Sequence, residues 1–177
     1  MVAAQEQKPA EDPMMKAMME AGTPGEVHKT MQDMVGTWNV AIKSYMDPAK
    51  PTESTGTSTM VSLLDGRYIQ ETMESTFMGM PFRGIGTFGY DKVLKQYVST
   101  WIDNMSTGIM TSVGSSPDGG KTVNWMGKGS DPVTGKEQSF RSIAHNVDPD
   151  HAHFEMYGAG PDGKEMKMME ISYTRKK

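Results

Sequence analysis

The side chains best placed for chemistry are carboxylates on otherwise apolar strand faces. Glu71 is in phase with Ile69 and Met73, so a face that turns those two into a core carries the carboxylate in with them. An inward carboxylate must be paired, hydrogen-bonded or protonated. Arg83 on the following strand and Arg141 further along are the expected partners. In that setting Glu71 would anchor a ligand headgroup or act as a general acid or base. The alternatives are a structural ion pair, or a register that turns Glu71 to water. A second group, Tyr97, Ser99, Trp101 and Asp103, shares one face of the alternating run 96–103 and joins an aromatic wall to polar tips. That mixture suits a ligand pocket, where apolar lining surrounds a few convergent polar groups. Equally, Trp101 would be core and Asp103 would close the turn at Asn104 through its own side chain.

Other groups invite chemistry less strongly. His151 and His153 lie two apart on one strand face that Glu155 continues, a spacing able to hold a metal. They follow the turn Asp148-Pro149-Asp150, which favours a solvated strand end, and His28 reads as a surface or capping residue of a helix. Met78-x-Met80 and Met166-x-Met168-Met169 offer thioethers, the ligands that select copper(I). Most of these positions would serve equally with any aliphatic residue. With no cysteine there is no thiolate metal site, disulfide or cysteine nucleophile. Gly84-x-Gly86-x-x-Gly89 matches a dinucleotide fingerprint only as letters, since no helix follows, and these glycines read as relief for barrel curvature. No serine stands on a nucleophile turn. No catalytic residue, metal or cofactor is therefore assigned. An enzyme remains as the alternative, with Glu71 or Asp103 as base beside Arg83 or Arg141.

The elements that must position these residues are mostly strands. Asp12-Pro13, four methionines and Gly22 predict a short helix with one apolar stripe. Thr23-Pro24-Gly25-Glu26 predicts a capping box opening a second helix, through about residue 35, whose Val27, Met31, Met34 and Val35 form a face to bury. From Gly36 onward the period is two, and nine turn signals break the chain into about ten strands. Short connections imply sequential antiparallel neighbours, and a meander of that length avoids open edges by closing on itself. The expected fold is a closed up-and-down antiparallel β-barrel, with one or two N-terminal helices capping an end. A β-sandwich is the alternative, but it usually needs longer crossovers. Residues 1–22 would form a polar leader and short Met-rich helix, and 23–177 the barrel domain.

The chain has 177 residues, enough for one domain with a full core. Its net charge of -4 lacks the basic footprint of a nucleic-acid binder. No apolar run approaches the ~20 residues needed to cross a bilayer, so a soluble chain is expected. Nineteen Met against three Leu imply that Met fills positions Leu usually takes, adapting to irregular space. The opening MVAAQEQKPAEDP resembles a polar leader left after removal of an export signal. The expected compartment is periplasmic or secreted.

Gly36-x-Trp38 at the start of the first strand resembles the signature of lipocalins and their calycin relatives. The resemblance implies that Trp38 covers the closed barrel end and that a basic residue of the last strand, here Arg175, stacks on it. The wider run PGEVHKTMQDMVGTWNV, then LLDGRYIQE, GMPFRGIGTFGYD, YVSTWIDNMSTGIM and FEMYGAGPDGKEMKMMEISYTRKK is similar to the bacterial domain-of-unknown-function 1579 family. That resemblance implies a lipocalin-like barrel and frequent export, and carries no activity. The function expected from these readings is non-covalent binding of a small apolar or amphipathic molecule inside the barrel, with Glu71, Arg83, Tyr97, Ser99, Trp101, Asp103 and Arg141 as wall or anchor residues. Alternatives are the carboxylate enzyme, or an interaction module whose barrel is filled by its own side chains. A homo-oligomer is left open.

Overall fold

Period-two patterning leaves each strand with one face to bury, and ten such strands bury it by closing into a barrel. A computed structural model describes residues 12–132, 134–160 and 162–177. The strands are β1 (Gly36–Ser44), β2 (Thr52–Leu63), β3 (Tyr68–Phe77), β4 (Met80–Asp91), β5 (Gln96–Asp103), β6 (Met110–Ser115), β7 (Thr122–Asp131), β8 (Lys136–Asp148), β9 (His151–Ala159) and β10 (Glu165–Arg175). Every strand pairs antiparallel with its sequence neighbours, and β1 pairs with β10, from Trp38 opposite Arg175 to Ser44 opposite Met169. That last pairing removes both edges and excludes the sandwich. The register is continuous across β4 and breaks only beside β9, between Asn146 and Asp148 and between Lys167 and Met169.

The turns follow local chemistry. Met78 and Gly79 both have positive φ, +50° and +78°, which is the two-residue hairpin geometry that matches strand twist. The turn is confined to these two residues, and Met80 and Pro81 open β4. Asp91 Oδ1 accepts from the amides of Val93 and Leu94, folding the β4–β5 connection around one carboxylate.

Two helices precede the barrel, α1 (Pro13–Gly22) and α2 (Glu26–Gln32). Helix α1 begins as its sequence dictates, with Asp12 Oδ1 accepting from the Met14 amide. Its end is held by cations: Arg67 Nε donates to the Gly22 carbonyl, and Lys92 Nζ to those of Glu20 and Thr23. Met14, Met15, Met18 and Met19 all remain exposed, so the apolar stripe of α1 is not buried in the barrel. The polar leader expected before α1 lies outside the described residues. Helix α2 starts later and ends sooner than expected. Gly25 is its N-cap, and the neutral Nδ1 of His28 accepts from the Gly25 amide at 3.1 Å, while Thr23 turns back to donate to the Met19 carbonyl. His28 is therefore a capping residue, but a buried one at 6% exposure, which corrects its surface placement. Burial also holds its imidazole below the usual value, favouring the neutral ring that the cap requires.

Val27 and Met31 of α2, with Met34 and Val35 just beyond its end, close one barrel end by packing on two groups of buried side chains. One group centres on Trp38, Val40, Ile171 and Tyr173, the other on Tyr97, Val123 and Trp125. Trp38 Nε1 donates to the Met34 carbonyl at 2.9 Å. The Arg175 guanidinium lies 4.1 Å from the Trp38 ring centre, on its face. Its nitrogens also donate to the carbonyls of Val35, Asp33 and Pro149 at 2.6–2.8 Å. One side chain thus joins the last strand to the first and to the end of the helix. Arg175→Ala leaves these carbonyls without their charged donor and is expected to destabilise the protein by about 2–4 kcal/mol. Arg175→Lys, which keeps charge without the fork, should restore less than half. Urea unfolding with matched m-values measures both.

Candidate functional site

Register decides which residues face inward. Met60 stands opposite Glu71, Glu71 opposite Gly86, Gly86 opposite Trp101 and Trp101 opposite Met110, so one inward rung runs through five strands. Above the α2-capped end, the inward side chains enclose a cavity of about 490 Å³ that opens at the other end of the barrel. Its wall includes Phe82, Phe88, Trp101, Trp125, Phe140 and Phe154. A wall so aromatic stays hollow because several rings pack close against glycine. A methyl group on Gly84 would overlap the Trp101 ring, and one on Gly127 the Phe140 ring; on Gly114 it would stand 2.8 Å from Trp125. Beside the curvature expected of them, Gly84 and Gly86 allow a close approach: β4 carries no bulge, and its glycines make room for Trp101.

Glu71 lies deep in this wall at 3% exposure. Ser58 Oγ donates to its Oε1 at 2.7 Å and the Tyr173 hydroxyl to the same atom at 3.3 Å. No described residue donates to Oε2, yet no buried side-chain oxygen among the described residues lacks a partner, so Oε2 is turned to the cavity. Burial pushes the carboxyl above its ordinary range, and the two hydroxyls offset only part of that. The same burial, together with the nearby Glu71 charge, raises the Tyr173 phenol.

The expected cationic partners of Glu71 are absent from the interior, which corrects that pairing. Arg83 lies three positions from Gly86, an odd offset that puts it on the outer face, 3.8 Å from Glu74. Arg141 stands between inward Phe140 and Ser142 and so also points out, forming a two-pronged bond to Glu165 over the Tyr157 ring. Neither belongs to the cavity wall. Of the second group, Ser99, Trp101 and Asp103 do line the cavity. Tyr97 points inward but packs with Val123 and Trp125 toward the capped end, so it is core rather than cavity wall. Both readings of Asp103 hold together: Oδ2 accepts from Trp101 Nε1 and Oδ1 from the Met105 amide, each at 3.0 Å.

The open rim is apolar along the connections from β1 to β6. Met46, Met78, Met80, Met105 and Ile109 project from the connections around it, Met78 with 82% of its surface exposed. Replacement of core aliphatics therefore describes Met60 and Met73 but not these rim residues. On the outer wall, ligand atoms of His153, Glu155 and Glu170 lie within 4.8 Å of one another. Lys167 already donates to both carboxylates, supplying the positive charge that a metal would bring. His151 turns away to Asp148.

Ser58 and Tyr173 were not singled out by sequence reasoning. Tyr173 carried the signal of alternation with Ile171. Ser58 sits in the polar run TESTGTSTM, where only its phase with Met60 marks it as inward.

The family model described as "Protein of unknown function (DUF1579)" matches residues 23–175. Comparison with curated proteins gives no match. The crystal structure of Rv2717c from M. tuberculosis is similar with a TM-score of 0.66 at 12% identity, covering 88% of this chain and 100% of that one. The S-type phycobiliprotein lyase CPES from Guillardia theta is similar with a TM-score of 0.58 at 10% identity, covering 90% and 97%. At such identities the likeness is one of fold.

Two outcomes follow from this geometry. Gly84→Ala should cost about 1–3 kcal/mol through overpacking and shift Trp fluorescence, read by urea unfolding and emission spectra. The unfolded chain titrates Glu71 at about pH 4.3, whereas the folded carboxyl keeps its proton to higher pH. Between those points the folded state binds more protons, so stability falls as pH rises, by up to about 1.4 kcal/mol per unit. Glu71→Gln removes that slope, and should gain on the wild type progressively above about pH 4.5 until the folded carboxyl ionises. Thermal unfolding across pH measures this, and parallel curves for the two proteins would contradict it.

Proposed function

Because the chain belongs to the DUF1579 family, whose description names no activity, we propose its function from the site itself: non-covalent binding of a small, largely apolar molecule inside the barrel. The observation that carries this is the cavity of about 490 Å³, open at one end and walled mainly by aromatic and aliphatic side chains. Sites for small molecules commonly enclose roughly 300–1,000 Å³ with apolar lining and a few placed polar groups. Glu71 and Asp103 are those polar groups, and the exposed methionines of the rim form an adaptable entrance. The carboxylate enzyme would set Glu71 or Asp103 beside Arg83 or Arg141, and both arginines lie outside the barrel. That placement favours binding over the catalytic alternative.

Nile red, a neutral dye sensitive to polarity, tests the reading. It should bind saturably at one site per chain, with blue-shifted emission and quenching of Trp fluorescence, since Trp101 and Trp125 line the cavity. Ser99→Phe places a ring in the same space and should weaken binding by about tenfold or more. Absence of saturable binding, or equal binding by the variant, would count against an interior site.

A further inference from the structure

The charged side chains that turn into the cavity are of one sign. Its wall includes Glu71 and Asp103, and no Lys, Arg or His among the described residues that line it; Glu53 at the rim turns its carboxyl outward to Lys43. The donors that reach these carboxyls are neutral, the Ser58 and Tyr173 hydroxyls on Glu71 Oε1 and the Trp101 indole on Asp103 Oδ2, and the other polar side chains of the wall are neutral hydroxyls such as Ser99, Ser112 and Ser142. The only charge the wall can offer a guest is therefore negative, and Glu71 Oε2 is the buried carboxyl oxygen turned to the cavity. We propose that the molecule bound here is an apolar amine, an aliphatic or aromatic body ending in a protonated or hydrogen-bond-donating nitrogen, and that anionic amphiphiles such as fatty acids are excluded. The proposal rests on the binding reading above and specifies the chemistry of the headgroup.

Both halves follow from electrostatics in a largely apolar cavity. A fatty-acid carboxylate entering this cavity meets no cation to replace its lost hydration. It meets instead a like-charged group, or one that must hold its proton to accommodate it. An ammonium meets the reverse situation. Glu71 is held from Oε1 by two hydroxyls, which fixes its orientation without satisfying Oε2, so the carboxylate is preorganised for a donor arriving from the cavity. Burial alone favours the protonated carboxyl, and an incoming amine supplies the positive charge that stabilises the ionised one. Asp103 is the second acidic group of the wall. The amine's apolar tail would lie against Phe82, Trp101 and Phe154.

The test uses three ten-carbon probes with identical tails, decylamine, decanol and decanoate, each displacing Nile red from the full chain at neutral pH. Decylamine should displace the dye at concentrations at least about tenfold lower than decanoate, with decanol between them. Glu71→Gln is nearly isosteric and keeps an acceptor for Ser58. It should cut the amine preference to less than about threefold while leaving decanol unchanged. Asp103→Asn is the second variant, so the proposal does not depend on one substitution folding well. Decanoate binding as tightly as decylamine would overturn the amine assignment. So would a preference that survives in both variants. In either case interior binding would stand. If Nile red itself does not bind, interior binding falls and the amine assignment falls with it.

Discussion

Where Trp101 crosses β4, Gly84 and Gly86 have no side chains to hold it off, and the ring lies against the backbone instead of projecting into the barrel. Phe140 does the same over Gly127, and Trp125 over Gly114. A ten-stranded barrel is narrow enough for its own side chains to fill. Pairing a large ring with a glycine on the neighbouring strand buries the ring's area against the wall while leaving the axis open. The cavity, its aromatic character and the access of Glu71 to it all depend on this small-against-large arrangement. A methyl group at one of these glycines acts on the interior as directly as a substitution in the lining.

The barrel's two ends differ for equally local reasons. At the capped end the Arg175 fork ties β10, the end of α2 and the Trp38 face into one unit, and α2 lays its apolar face over the opening. At the other end the strands are joined by short connections that carry methionines outward. The interior polar groups are acidic and tied by neutral donors, whereas the cations stand on the outer wall in exposed pairs of modest value: Arg83 with Glu74, Lys128 with Glu137. Segregating charge in this way spares the interior a buried ion pair, whose desolvation commonly offsets its attraction. It leaves Glu71 as a buried acidic group held by hydroxyls alone.

Much of the architecture was legible in the chain. Period-two alternation from Gly36 onward, the short turns and the Asp12-Pro13 start of α1 depend on neighbours close in sequence, and local chemistry settled them. The inward direction of Glu71 followed in the same way, from its phase with Ile69 and Met73. Capping was legible only in part: the Thr23 signal was real as a turn, but His28 provided a better acceptor from inside the fold and moved the helix start to Glu26.

The partners of Glu71 could not be read from the sequence, because charge alone points to arginine while the register places Arg83 and Arg141 on the opposite face. Ser58 and Tyr173 are 115 residues apart, a separation that no local pattern spans, and they meet on one carboxylate only because β1 joins β2 to β10 when the barrel closes. The sequence by itself determined strands, turns and the two faces of each strand, since these are set by φ/ψ preference and hydrophobic period. Only the tertiary structure decided which inward residues share a rung, which glycines lie beneath rings and that the interior is hollow and acidic, since these depend on closure and register around the whole sheet.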